Sequence, residues 1–296
     1  MDRTENDEFD DDDAPGGEAE ERIGALYSQA LAQEKSGDTD AAAASWEALL
    51  ALDPEDRVGA AMRLAALGRA EAPGRAPDAY VALLFDQHAA AFEDILAGKL
   101  GYRAPELARA AVEAAAPGYR DKMLDLGCGT GLAARAFDDM VGRITGVDLS
   151  EGMLEEADAA ELYDALYLGE AVSFLQAEAT EGEEDEDAEF DSPWDLVVAT
   201  DVLPYLGDPA PLFAACARHA VPGGLLVFTT ETLPEEAFGG KDWVVGAHHR
   251  YHHRGAGVAA ALEAAGWTPL SMEIITVRTN EGRPEPGHLV VARKAG

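Results

Sequence analysis

The spacing of apolar positions changes character along the chain. Between about residues 20 and 71, Leu26, Ala30 and Leu31, then Ala42, Trp46, Leu49 and Leu50, recur at helical spacing. Gly37-Asp38 interrupts the pattern, which predicts two helices in a hairpin. Asp53-Pro54 ends the second helix, because the residue before a proline is pushed out of the α region. A further helix is predicted over Val58–Leu67, a linker over Pro73–Pro77, and more helices over 78–117. From about residue 120, short strand-like runs alternate with helical stretches: Met123–Leu126, Ile144–Val147, Val172–Leu175, Leu196–Ala199 and Leu225–Thr229. That alternation predicts βα units and a parallel sheet. The last two runs, Glu273–Val277 and His288–Ala292, have only turn-rich sequence between them, so they predict an antiparallel hairpin at the sheet edge.

Composition narrows the function. The 296 residues suggest about two domains, and 47% hydrophobic content supplies a sizeable core. The net charge of −35 repels phosphate backbones and anionic membrane surfaces, which argues against a nucleic-acid or membrane partner. Ten acids crowd residues 1–20, expected to be a disordered tail, and eight more fall within Glu181–Asp191. The diffuse acidity fits a high-salt source, and the five lysines against seventeen arginines fit that source and a GC-rich genome alike. Two cysteines, Cys128 and Cys216, cannot build a disulfide framework or a four-cysteine zinc site, so a reduced compartment is expected. No secretory signal and no membrane-length apolar run is present, and the expectation is a soluble, cytoplasmic protein.

The strongest chemical signal is Leu124-Asp125-Leu126-Gly127-Cys128-Gly129-Thr130-Gly131, a buried strand running into a glycine-rich turn that opens a helix. Glycines there allow positive φ and close approach of a ligand to the backbone, and amides at a helix start favour a polar or anionic group. A second strand, Ile144–Val147, ends in Asp148, seventeen residues after Gly131. An acid at that place can accept hydrogen bonds from both hydroxyls of a ribose.

These residues resemble class I S-adenosylmethionine-dependent methyltransferases over about residues 100–295. Asp125-x-Gly127-x-Gly129-x-Gly131 matches the first motif of that family, and Asp148-Leu149-Ser150 with Met153-Leu154 matches the second. Gln176-Ala177-Glu178-Ala179 sits where the family places an acid on the adenine amino group. Trp194 to Leu203 matches the fourth strand and its exit, and Val221 to Val227 the turn into the fifth. The resemblance implies a Rossmann-like α/β fold, a seven-stranded sheet with its last strand antiparallel, S-adenosylmethionine as cofactor and S-adenosylhomocysteine as product. By the same resemblance the loop Gly127, Cys128, Gly129 and Gly131 cradles the methionine part, with Asp125 organising the turn. Asp148 would bind the ribose, Leu149 and Met153 would pack on adenine, Glu178 and the Ala179 amide would hold its edge, and Asp201 and Val202 would line the floor near the sulfonium.

Ahead of this fold, Gly37-Asp38, Ala42, Trp46, Leu50 and Asp53-Pro54 fall in the register of a tetratricopeptide repeat (TPR). Followed by Tyr80 to Leu107, this resembles the bacterial TPR-repeat-containing methyltransferase subgroup. The implied organisation is tail 1–20, TPR-like hairpin 21–72 and methyltransferase domain 78–296 with its leading helices. A lone repeat must pack on the rest of the chain or on a protein partner. Tyr102 and Arg103 either close over the cofactor, with Arg103 near its carboxylate, or are an ordinary packing tyrosine and a surface arginine. Phe85 and Phe92 read as core more readily than as lid.

Methyl transfer to an oxygen or nitrogen needs in-line positioning and sometimes a general base. Base candidates are His249 and His252, from His248-His249-Arg250-Tyr251-His252-His253-Arg254, and Tyr205. On a helix, His248/His252 and His249/His253 would each share a face. That run also reads as an anion-binding patch, a metal site or an ordinary polar loop, and no carboxylate or cysteine at ligand spacing supports the metal. The exit of the fourth strand lacks the Asn/Asp-Pro-Pro-aromatic motif of amide methylation, and no Pro-Cys dipeptide is present. A small-molecule acceptor is therefore expected, with a protein-interaction module serving a partner as the alternative. A nicotinamide-dependent oxidoreductase is disfavoured, because the third glycine falls at Gly131 and Leu132 stands one position later.

Overall fold

The computed structural model describes residues 15–95, 101–177, 193–246, 248–280 and 282–296. The chain opens with α1 (Pro15–Ser36), α2 (Thr39–Leu52) and α3 (Ala60–Ala66). The first helix starts inside the segment expected to be a disordered tail; the rest of that tail, 1–14, lies outside the described residues. Asp38 caps α2 by accepting from the Ala41 amide, and Asp56, at φ +53°, accepts from the Ala60 and Ala61 amides that open α3. Trp46 is wholly buried among Ala30, Ala42, Leu49 and Leu64, and its indole donates to Glu34 Oε1 at 2.7 Å.

The segment 73–77 is not a loose linker. Gly207 and Asp208 amides donate to the Gly74 carbonyl, the Ala76 amide donates to the Tyr205 carbonyl, and Tyr251 Oη donates to the Pro73 carbonyl at 2.6 Å. Leading helices α4 (Asp78–Asp86), α5 (Phe92–Ile95) and α6 (Ala104–Ala115) follow. Met62 of α3 shares an apolar cluster with Ala76, Val81 and Tyr251, so the helical unit packs on the domain behind it.

That domain alternates β1 (Arg120–Leu126), α7 (Leu132–Phe137), β2 (Val141–Asp148), α8 (Glu151–Ala159), β3 (Ala165–Leu168), α9 (Ala171–Gln176), β4 (Trp194–Ala199), α10 (Ala210–His219) and β5 (Ala220–Thr229). A small hairpin, β6 (Trp243–Val245) and β7 (Tyr251–His253), precedes α11 (Gly255–Ala264), β8 (Trp267–Asn280) and β9 (Arg283–Lys294). The seven-stranded sheet runs β3-β2-β1-β4-β5-β9-β8, with β1 to β5 parallel and β9 antiparallel to both neighbours. The sheet and its final antiparallel hairpin match the expectation. One strand does not: Val172–Leu175 lies in α9, and the third strand is Ala165–Leu168. Glu170 decides this locally, since its carboxylate accepts from the Val172 and Ser173 amides and starts a helix there.

Apolar side chains cover both faces of the sheet: Leu124, Leu126 and Phe228 pack toward Phe213 and Trp267, and Met123 and Leu196 toward Val112 and Phe137. Strand order reverses between β1 and β4, and a crevice opens there at their carboxyl ends.

Candidate active site

That crevice is a cleft walled by the turn after β1, the ends of β2, β3 and β4, and the segment 75–92. The turn needs its glycines. Gly127, Gly129 and Gly131 have φ of +64°, +54° and +91°, and a Cβ on Gly127 would stand 2.6 Å from Val202 Cγ2. Phe92 lies over Gly129, and Glu93 fastens α5 to the turn through Thr130 Oγ1 at 3.1 Å and Arg135 Nη1 at 3.2 Å. Asp148, at the end of β2, accepts from the Gly129 amide at 2.8 Å and the Ser150 amide at 2.9 Å, which ties its carboxylate to the turn. Burial raises its pKa above the ordinary carboxylate value.

Of the residues singled out in the sequence, Tyr102, Gly127, Cys128 and Gly129 line the cleft. So do Asp148, Leu149, Asp201, Val202 and Tyr205. Met153 is fully buried beneath it, Gly131 caps α7 facing the Tyr163 ring, and Arg103 sits exposed at the start of α6 away from the lining. Glu178 and Ala179 lie outside the described residues, as does Glu181–Asp191. Among the described residues, the acid that lines the cleft after β3 is Glu170, flanked by Gly169 and Ala171. Asp125 lies under the turn. Tyr163 Oη donates to its Oδ2 at 2.7 Å, its Oδ1 is buried without a hydrogen-bond partner, and burial pushes its pKa up to about 7.

The histidines do not form a helical face. His252 and His253 alternate sides of β7. His249, at φ +58°, is half-buried, and burial with the nearby Arg63 charge lowers its pKa to about 4. His253 Nε2 donates to the Leu206 and Gly207 carbonyls, and burial holds it neutral. His252 Nε2 stands 3.7 Å from Glu231 Oε2. None of the three histidines lines the cleft.

The residue of that run that bonds to cleft residues is Arg250. Its Nη2 donates to Asp201 Oδ1 at 2.6 Å, its Nε to Glu231 Oε1 at 2.8 Å and its Nη1 to Tyr205 Oη at 2.6 Å. Arg278, from β8, also contacts Asp201, Glu231 and Glu285. This network holds Asp201 at φ +64° at the exit of β4, a left-handed conformation that a non-glycine residue keeps only when its surroundings fix it. Tyr205 stays protonated, burial pushing its phenol up to about 12. Burial raises the thiols of Cys128 and Cys216 as well, the latter to about 12, so neither is a thiolate near neutrality.

Residues 124–228 match a family model described as a methyltransferase domain. Ubiquinone biosynthesis O-methyltransferase of Thiobacillus denitrificans is 36% identical over 119 residues, covering 40% of this chain and 48% of that protein. The protein of the same description from Idiomarina loihiensis is 31% identical over 151 residues, covering 51% and 52%. The chain thus spans about half the length of the curated relatives it matches. A solved S-adenosylmethionine-dependent methyltransferase from Clostridium acetobutylicum has a TM-score of 0.50 at 14% identity, covering 72% of this chain and 100% of that one. Residues 124–228 thus match a methyltransferase domain, and the chain shares the Rossmann-like α/β fold of that solved S-adenosylmethionine-dependent enzyme. The cleft fits that cofactor in this chain's own terms: a glycine turn that a Cβ would obstruct, an acid at the end of β2, and an unpartnered buried carboxylate oxygen on Asp125 suited to a cationic amino group.

Proposed function

We propose that the protein transfers the methyl group of S-adenosylmethionine to an oxygen of a small-molecule acceptor. The observation that carries this reading is the gathering of the glycine turn, Asp148 and the Asp201–Tyr205 exit of β4 in one cleft. When bound, the cofactor supplies an already activated methyl group. In this reading Gly127, Cys128 and Gly129 cradle its methionine part, Asp125 faces the amino group, Asp148 takes the ribose and Leu149 packs on the base. Glu170 takes the place at the base edge that the sequence pattern assigns to Glu178.

The acceptor half is chiefly apolar, with Phe85 edge-on to both Phe92 and Tyr205 at 5.8 and 5.5 Å. Such walls suit a neutral, largely apolar molecule, and the O-methyltransferase relatives favour oxygen over nitrogen as the methylated atom. Tyr205, protonated and receiving a hydrogen bond from Arg250, is placed to donate to an acceptor oxygen rather than to remove a proton, so the hydroxyl proton passes to solvent as the oxygen–methyl bond forms and the sulfur–methyl bond breaks. Alignment of acceptor and methyl group then carries most of the rate. We read α1 to α3 as a TPR-like unit whose apolar contacts with 73–81 and β6–β7 make it a wall of the catalytic domain.

The test incubates the protein and S-adenosylmethionine with panels of hydroxylated and amine-bearing small molecules, reading S-adenosylhomocysteine release and product mass. Turnover confined to hydroxylated members supports the reading. Turnover only with amines or with protein substrates would displace it.

A further inference from the structure

We infer that Arg75 is a positioning residue of the cofactor site, holding Glu170 so that one carboxylate oxygen reads a purine's exocyclic amino group; this rests on the cofactor reading above. Arg75 belongs to no helix or strand of the catalytic domain. It lies in the segment that joins the helical unit to that domain, yet it lines the cleft.

Its backbone is fixed first. Arg75 makes an antiparallel bridge with Leu206, and its two chain neighbours are hydrogen-bonded to the exit of β4 on either side of it. Gly207 permits this approach, since a Cβ there would meet the Tyr251 and Trp243 rings at 2.8 and 2.9 Å and the Gly74 carbonyl at 3.0 Å. The side chain then spans from Asp78, Nη2 to Oδ2 at 3.2 Å, to Glu170, Nη1 to Oε2 at 2.9 Å.

Glu170 is 8% exposed, and its two oxygens are unequally used. Oε2 accepts from the Ser173 amide at 2.8 Å, the Ser173 hydroxyl at 2.9 Å and Arg75. Oε1 accepts from the Val172 amide at 3.0 Å. A carboxylate oxygen has room for a second donor, so Oε1 retains acceptor capacity beside the cleft. The position is set relative to Asp148: Leu168 pairs with Asp148 across the sheet, and the Gly169 amide donates to the Asp148 carbonyl at 2.8 Å. A ligand whose ribose meets Asp148 therefore presents its base one strand over, to an acceptor. An amino-bearing base satisfies that acceptor and a keto-bearing base does not. Arg75 keeps the carboxylate turned by engaging the opposite oxygen.

The experiment is calorimetric titration of S-adenosylhomocysteine and its 6-oxo counterpart, S-inosylhomocysteine, into the full chain as wild type, Arg75→Ala and Arg75→Lys. Thermal melts check that each variant folds. Wild type should prefer the adenine ligand. Arg75→Ala should weaken that ligand about fivefold, leave the 6-oxo ligand nearly unchanged and so narrow the preference, and Arg75→Lys should restore part of it. Equal weakening of both ligands would make Arg75 a merely structural residue and overturn the inference, as would an unchanged preference. Failure of wild type to bind either ligand would overturn the cofactor reading and this inference with it.

Discussion

Replacing Arg250 by methionine isolates the worth of the charged network at the exit of β4. The guanidinium makes three hydrogen bonds of 2.6 to 2.8 Å and lies 4.8 Å from the Tyr205 ring centroid. Its side chain is 11% exposed, and that of its partner Glu231 is 2% exposed. Removing one partner of a buried ion pair typically costs about 3–5 kcal/mol, mostly as the penalty of the stranded opposite charge. Arg278 still reaches both Glu231 and Asp201, so the lower end applies, about 3 kcal/mol. Urea unfolding reads this as a drop in midpoint with the slope unchanged. Adding Glu231→Gln removes the stranded charge, so the double variant should be more stable than the sum of the two single losses by roughly 1–2 kcal/mol. A loss below about 1 kcal/mol for Arg250→Met, or strict additivity in the double variant, would refute the view that these charges are held as one buried unit.

Gly127→Ala should cost S-adenosylhomocysteine affinity at least about tenfold in calorimetry with the far-ultraviolet spectrum unchanged, because the left-handed backbone and the 2.6 Å approach to Val202 Cγ2 deform the turn. Asp125 has a folded-state pKa raised from 3.8 to about 7, so it contributes stability that is present below the lower value and lost as pH rises through the upper one; Asp125→Asn should flatten that part of a melting-temperature profile. For the same reason, S-adenosylhomocysteine binding near pH 6 should release a proton, seen as a dependence of calorimetric heat on buffer ionisation enthalpy. Trp46→Ala should cost about 3–5 kcal/mol locally, read as faster amide exchange in α1–α3 with β1–β5 unaffected, since the indole is fully buried, bonded to Glu34 and covered by Arg63 at 4.7 Å.

The sheet was legible because its central strands are buried on both faces and read as apolar runs next to glycine turns. Residues that act through their neighbours in sequence were legible too: Gly127 and Gly129 by their turn, and Asp148 by its distance from it. The third strand was not. Val172–Leu175 is as apolar as a buried strand, and a short apolar run does not distinguish strand from helix; Ala165–Leu168 is a half-exposed edge with a weaker pattern. Glu178 lies outside the described residues, and among those described the acid that lines the cleft after β3 is Glu170. In the histidine run the chemistry points to His249 and His252, while Arg250 is the residue that bonds to the cleft residues Asp201 and Tyr205. Its partners lie 49, 45 and 19 residues away in sequence, at Asp201, Tyr205 and Glu231, and no local pattern reports such contacts. Arg75 was hidden by a proline-bounded segment that reads as a linker and is bound to the catalytic domain by backbone hydrogen bonds.

The most direct measurement is calorimetric titration of S-adenosylmethionine and S-adenosylhomocysteine, with NAD as control, into wild type and Asp148→Ala. Saturable binding of both sulfur ligands to wild type, none of NAD, and loss of binding in a folded Asp148→Ala variant is the predicted result. No binding to wild type, or undiminished binding to Asp148→Ala, would contradict the assignment of this cleft as an S-adenosylmethionine site.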